Sequence, residues 1–490
     1  MEKNKTEIIL IALAIIAFAF RFYLMPSHLF FGPEQGRDFL VIRDIVVNHK
    51  LTLIGSKTDI MGIFHGPIFY YLAAIPFAVT GGNPLGVSAF FIIIQGLTVF
   101  LVYQLTYELT KRRRAGLIAA ILFAVSFLFI VYARWLSNPP LSIPFSLFFM
   151  LFLLRYVRGK SWYLVASAFA YGLLGQAEFI NFLLFAAIGL LTCLMFWKKC
   201  IRTKLVIVVT AFLVGLVTSF ATYILFDARH DGLVSRGVLD LIQGKSGYQL
   251  YLSTSTAGAF RVLLEQAAAI MGLSGWVAGL VVTVPLMPVL FKRMKRDASL
   301  SILALWIWVP PFIFAILRHG MLEQLYAGVI GGFIILLALA IDFLWEKKTV
   351  IGVASLVIIV VLSVTAVFRN LPGNYQVFFQ APQPAVRYSD QLAVIDWIYM
   401  QADGRQFSFQ AYTIPYFLQD AWVYLLGYYG QKNYGYLPDD QGRKRMYVVI
   451  QEDTLDPKFQ KKWYRETTSV WGTKTNQARI GNYTVEEWAL

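Results

Sequence analysis

The chain is a string of apolar runs, each close to the length of a bilayer-spanning helix and cut by short basic loops, and this spacing limits the fold more than any motif in it. About 20 apolar residues coiled as a helix cross the hydrocarbon core of a membrane. Such runs lie at residues 8–24, 85–107, 115–133, 141–156, 162–175, 180–197, 205–226, 272–291, 300–317, 324–344 and 350–368, roughly eleven in all. The two short central runs, 162–175 and 180–197, also read as one re-entrant pair. The alternating pattern of a β-barrel strand is not visible. With 58% hydrophobic and 14% charged residues and a mean hydropathy of +0.61, the chain is too apolar for a soluble globular protein. The expected fold class is a polytopic α-helical membrane protein of about 11 transmembrane helices. The first run lacks a small-residue cleavage site, so it reads as a retained span.

The net charge of +15 does not point to nucleic acid, because the basic residues form short clusters between runs and not one stripe. Lys3 and Lys5, Lys111 to Arg114, Arg155 with Arg158 and Lys160, Lys198 and Lys199 with Arg202 and Lys204, Lys292 to Arg296, and Lys347 with Lys348 all fall on one side when the runs are counted as crossings. By the positive-inside rule that side is cytoplasmic. All five histidines then lie on the outer face, as does everything after residue 369. Cys193 and Cys200 imply no disulfide framework. The expected localisation is the plasma membrane, multi-pass, with an extracytoplasmic active face.

Two outer loops and one soluble unit stand out against the spans. Residues 25–84 form a long polar first loop and residues 227–263 a glycine-rich second loop that reads as lying along the membrane surface or covering a cleft. After the membrane portion, residues 1–368, comes a linker at 369–384 with two Pro-containing turns. Residues 385–490 read as a small extracytoplasmic α/β domain, with a helix at 392–400, strands at 407–411 and 446–450, and a helix at 416–429 between them.

The first loop carries the chemistry-bearing residues. Gly32-Pro33 opens a helix with proline in its first turn, so Glu34 and Asp38 share a face. Two carboxylates there can meet one substrate, although first-turn acids are also favoured by the helix dipole alone. Asp38 is preferred as the base, since it lies a turn further from the free amides that stabilise the Glu34 anion. His65-Gly66-Pro67 ends the loop and places His65 at the start of the next helix. Gln176-Ala177-Glu178 sits at the outer end of a span, where an ionisable residue beside hydrocarbon is a candidate by default. Arg134 and Arg318 offer guanidinium groups suited to a phosphate, with snorkelling as the plain alternative, and Arg37 reads as part of a solvated amphipathic face with Arg43 and Asp44. Asn138 accompanies Arg134. The tyrosines of the last unit can stack on sugars or fill its core. No histidine pair has the spacing of a metal-binding helix face.

These features together resemble the GT-C class of membrane glycosyltransferases, in its branch of protein-mannosyltransferase-like, aminoarabinose-transferase-like and rhizobial galacturonosyltransferase-like enzymes. The resemblance covers about residues 8–368 and is strongest from Phe31 to Leu72. It rests on the acidic first loop, the His-Gly-Pro with its aromatic helix, and the extracytoplasmic C-terminal unit. In that family an Asp-Glu pair in the first loop supplies the catalytic carboxylate. Here the pair appears as Pro33-Glu34 with Asp38 one turn on, so the role is open between the two acids. His65-Gly66-Pro67 is similar to the family's His-Pro-Pro, and Gln176-Ala177-Glu178 to a Gln-x-His whose histidine is replaced.

The resemblance implies a sugar donor on polyprenyl phosphate, a glycan, lipid or protein acceptor, and contact with membrane lipids. It implies inverting transfer by Asp38 or Glu34, with Arg37, His65, Arg134, Asn138, Gln176, Glu178 and Arg318 as substrate- or phosphate-binding residues. No cofactor is required; a divalent metal is compatible but not indicated. The rival class is a transporter or flippase, which usually shows inverted repeats and mid-membrane charges, whereas the polar residues here gather at outer helix ends.

Overall fold

Among the described residues of the computed structural model, six helices are long and apolar enough to cross a bilayer: Pro84–Thr110, Pro139–Val157, Leu205–Arg229, Trp276–Met294, Ala298–Leu317 and Thr349–Asn370. The bent pair Arg113–Val125 and Phe127–Arg134 makes a seventh if it is one span. The structure describes residues 2–58, 60–243, 256–295, 297–317, 322–372, 386–414, 418–439 and 444–490. The other apolar runs are also helical. Tyr163–Ala177 and Asn181–Met195 have only 15 residues each, while Glu2–Phe22 and Ile330–Lys347 carry charges near their ends.

Local chemistry sets the helix ends. Asn83 caps the helix Pro84–Thr110 by accepting from the amide of Leu85 at 3.0 Å, and Pro84 fills the first position, where no amide donor is needed. The expected span 115–133 is instead bent by 57° at Ser126. The Ser126 backbone is extended and its hydroxyl donates to the carbonyl of Ile270 at 2.7 Å. That break strands carbonyls inside the bundle, and the buried Arg21 satisfies them, donating to Phe123 at 3.3 Å and Ala124 at 3.1 Å.

At one end of the bundle the basic clusters are more than topology signals. Arg112, Arg114 and Arg293 converge on Asp342, which is fully buried, and Arg158 binds Asp297 at 2.7 Å. A buried carboxylate is tolerated when several cations surround it.

The stretch expected as the second loop is largely helical where described. Leu233–Ile242 packs on the first loop, where a Cβ on Gly237 would stand 2.8 Å from the carbonyl carbon of Gly62. Thr256–Ala269 joins the main core, because Ala259, Leu263 and Ala267 recur on one face and are buried. Residues 244–255 lie outside the described residues.

The C-terminal region has the helix Tyr388–Ala402 and a four-stranded sheet: β1 Ser408–Tyr412, β2 Arg445–Gln451, β3 Thr473–Ile480 and β4 Tyr483–Ala489, ordered β1-β2-β4-β3. β1 and β2 are parallel, so their connection must cross over, and it contains the helix Asp420–Leu425 and a further helical stretch to Tyr434. The expected helix at 416–429 thus lies later, and Tyr416 is outside the described residues. The sheet is not a free-standing unit. Tyr388, Val394, Trp422, Tyr447 and Val485 share one apolar core with Leu29, Phe31, Phe39 and Phe69 of the first-loop region.

Candidate active site

The helix Pro33–Val47 holds the candidate acids, and its start follows from three residues. Gly32 is the N-cap and Pro33 the first helical residue, while the buried Gln35 accepts from the amide of Gly32 and donates to the carbonyl of Leu136, both at 3.1 Å. This ties the helix to the segment behind the bend at Ser126.

One turn on, Asp38 is 1% exposed. Its Oδ1 accepts from Arg37 Nε at 2.9 Å and from the Tyr70 hydroxyl at 2.9 Å, with Arg37 Nη2 at 2.8 Å. Its Oδ2 is buried and has no hydrogen-bond partner among the described residues. Burial pushes the Asp38 pKa above the usual carboxylate range, against the pull of Arg37 and Tyr70, and the negative charge of Asp420 adds to the rise. Arg37 is 38% exposed at its side chain, so the guanidinium has a face left for a ligand. Glu34, on the same helix, is exposed. The two acids expected to act as a pair therefore stand in different surroundings.

The loop returns as a short hairpin in which Gly55 and Ser56 exchange hydrogen bonds with His65 at 2.8 and 2.9 Å. Gly66 then donates to the carbonyl of Gln176 at 2.9 Å, and a Cβ at Gly66 would lie 2.8 Å from the Gln176 Cα. Only glycine permits that approach. It brings His65 Nδ1 to 3.5 Å from Glu178 Oε1, so two motifs distant in sequence meet. Burial, with the positive charge of Arg37, lowers the His65 pKa to about 4, so the ring is neutral near pH 7.

The other expected residues have structural commitments. The Gln176 side chain donates to Ser219 at 2.9 Å and Thr222 at 3.2 Å, clamping the helix Leu205–Arg229. Asn138 donates to Ser56 at 3.1 Å, and its Oδ1 is buried without a hydrogen-bond partner among the described residues. Arg134 is buried and donates to the carbonyl of Tyr23 at 2.9 Å. Arg318 lies outside the described residues. Among the described residues no group of three His, Cys, Asp or Glu side chains is placed to hold a metal ion. Tyr70 and Arg21 escape a reading of the sequence, since one sits in an aromatic-rich run and the other looks like a charge at a helix end.

Residues 64–224 match the family model of the dolichyl-phosphate-mannose-protein mannosyltransferases. That segment includes His65, Asn138, Gln176 and Glu178 but begins after Asp38. Among solved structures, the chain is similar to ArnT from Cupriavidus metallidurans. The form bound to undecaprenyl phosphate gives a TM-score of 0.64 at 12% identity, over 98% of this chain and 97% of that one. The apo form gives 0.66 at 12% identity, over 99% and 98%. The fold is that of the GT-C membrane glycosyltransferases. The oligosaccharyltransferase AglB from Archaeoglobus fulgidus, in complex with an inhibitory peptide and a dolichol-phosphate, shares this GT-C fold with a TM-score of 0.52 at 12% identity, over 99% of this chain and 74% of that one. No curated protein matches the chain in sequence. The GT-C likeness extends over the C-terminal region as well as the helical bundle.

Proposed function

We propose that this protein is a glycosyltransferase that moves a sugar from polyprenyl phosphate to an acceptor hydroxyl on the extracytoplasmic face, with inversion. The observation that carries the reading is Asp38: a buried carboxylate gripped on one oxygen and, among the described residues, without a hydrogen-bond partner on the other, beside a partly exposed arginine. The family match and the polyprenyl-type phosphates bound by the GT-C neighbours support the donor class. Eleven crossings from a cytoplasmic N-terminus, the count of the sequence runs, would put the first loop and residues 385–490 outside. Nucleotide sugars are made inside, so a lipid-carried donor fits that topology.

Asp38 Oδ2 takes the proton of the acceptor hydroxyl as its oxygen attacks the anomeric carbon from the face opposite the phosphate. The bond from that carbon to the phosphate oxygen breaks, and polyprenyl phosphate leaves with the electron pair. Arg37 offsets the charge that develops on the phosphate. Glu34, His65 and Glu178 are assigned to positioning the substrate, with His65 neutral.

Purified protein given radiolabelled polyprenyl phosphate sugars and a membrane extract as acceptor should release polyprenyl phosphate and label the acceptor. Movement of intact donor across a vesicle membrane without cleavage would overturn the assignment in favour of transport. Cysteines introduced near Gln383 should react with an impermeant reagent from outside, and those near Arg113 should not.

A further inference from the structure

A cavity of about 360 Å³ opens between the helix Pro33–Val47, the loop segment 50–53 and the first-loop end of the span Leu205–Arg229. Its polar wall sets Lys50, Arg229 and His230 against one acid, Asp44, and Phe226 forms part of its apolar wall. The acid is already committed, since the Asp44 carboxylate accepts from Asn48 at 2.7 Å and from Lys50 at 3.5 Å. Asp227, a neighbouring acid, accepts from the amides of Val234 and Ser235 at 2.7 and 2.9 Å. His230 donates through Nδ1 to the carbonyl of Phe226 at 2.8 Å and lies flat on that ring, with centroids 3.9 Å apart. The wall is therefore positive. Its surroundings are apolar and open: Val47, Leu51, Ile224 and Leu225 are exposed, and Leu51 lines the cavity itself. The span is buried over 17% of its apolar window, so most of its surface is left for acyl chains. Snorkelling accounts for an arginine at the end of a span. It does not account for Lys50, which reaches the same cavity from the first loop.

We propose that this cavity binds an anionic glycerophospholipid, with the headgroup phosphate between Lys50 and Arg229 and the acyl chains along the exposed face of Leu205–Arg229. The guanidinium fork matches phosphate oxygens, and the lysine adds a point charge. Charge and apolar contact act together at a membrane surface, which favours a lipid over a free phosphate ion. Neither Arg37 nor Asp38 lines the cavity, so the site is separate from the pair assigned to transfer. Val41 and Asp44, which do line it, belong to the helix that carries Asp38. A lipid seated here ties that helix to the bilayer.

The test uses full-length protein in detergent, titrated with phosphatidylglycerol or with zwitterionic phosphatidylcholine, and counts bound lipid by native mass spectrometry. Phosphatidylglycerol should bind in preference. A basic side chain beside an anionic headgroup is worth about a fivefold change in affinity. Lys50→Gln and Arg229→Gln should each weaken phosphatidylglycerol binding by about that factor. Lys458→Gln, which removes an exposed lysine of the C-terminal region, should leave it unchanged. Asp44→Asn removes the opposing charge and should tighten binding, a gain that misfolding cannot produce. Equal binding of the two lipids, or unchanged affinity when Lys50→Gln and Arg229→Gln are combined, would overturn the proposal. So would displacement of the lipid by an equal concentration of inorganic phosphate, which would mark a site for the free ion, or of polyprenyl phosphate, which would mark a donor site. None of these readings depends on transfer, so the assignment of Asp38 stands or falls separately.

Discussion

Tyr70 donates its hydroxyl proton to the same oxygen of Asp38 that Arg37 holds, at 2.9 Å, so that Oδ1 is occupied while Oδ2 has no hydrogen-bond partner among the described residues. Asp38→Asn keeps the shape but removes the charge and the basic site. General-base catalysis is typically worth on the order of 10² to 10⁴ in rate, so turnover should fall by about that factor while donor binding and thermal stability change little. Glu34→Gln, at an exposed position, should have the smaller effect. Single-turnover transfer of labelled sugar measures both, and equal losses would return the choice between the two acids to an open state.

Tyr70→Phe deletes one donor to Asp38 and leaves the ring. The Tyr70 hydrogen bond favours the charged carboxylate, so its loss raises the proton affinity of Asp38 and should shift the acid limb of the rate profile to higher pH. An acid limb that stayed in place or moved to lower pH would show that Tyr70 does not act through the charge state of Asp38.

Much of this arrangement is legible in the sequence, and the reasons for the remainder are physical. Gly32-Pro33 announces the helix of the candidate acids because proline in a first turn needs no amide partner. The meeting of His65-Gly66 with Gln176-Ala177-Glu178 is not legible, because it depends on a close backbone approach between segments far apart in the chain. Gln176 looks like a ligand and serves as a clamp, for a side-chain amide cannot be assigned partners from sequence. The bend at Ser126 is hidden inside a continuous apolar run, and the arginine that stabilises it is a hundred residues earlier. The paired arginines around Asp342 carry a topology signal and an ion-pair network at once, and composition reveals only the first.

His65 sets a pH limit on stability. Its pKa is lowered from 6.5 to about 4 by burial and by Arg37. Between those values the unfolded chain binds a proton that the folded chain does not. Stability is therefore full above about pH 6.5 and falls as pH drops toward 4. Thermal unfolding of the protein in nanodiscs should show a midpoint that declines across this window, and His65→Gln should flatten the decline. A parallel decline in both proteins would assign the effect to carboxylates.

Gly36→Ala sets two effects against each other. Alanine is favoured over glycine inside a helix by about 0.5–1 kcal/mol. At Gly36, however, the added carbon meets the backbone of Asp420 and Ala421 at 2.2–2.4 Å, where no flexible side chain can give way. Overpacking of this kind costs about 1–3 kcal/mol or more, so the clash wins. The variant should unfold at lower temperature, expose residues 386–490 to protease sooner and lose transfer activity. Gly189→Ala is the control: it also lies within a helix, but its nearest neighbour, Phe149, is 3.8 Å away, so it should keep or slightly raise the melting temperature. Equal behaviour of the two variants would show that the C-terminal region does not bear on the first-loop helix as closely as described.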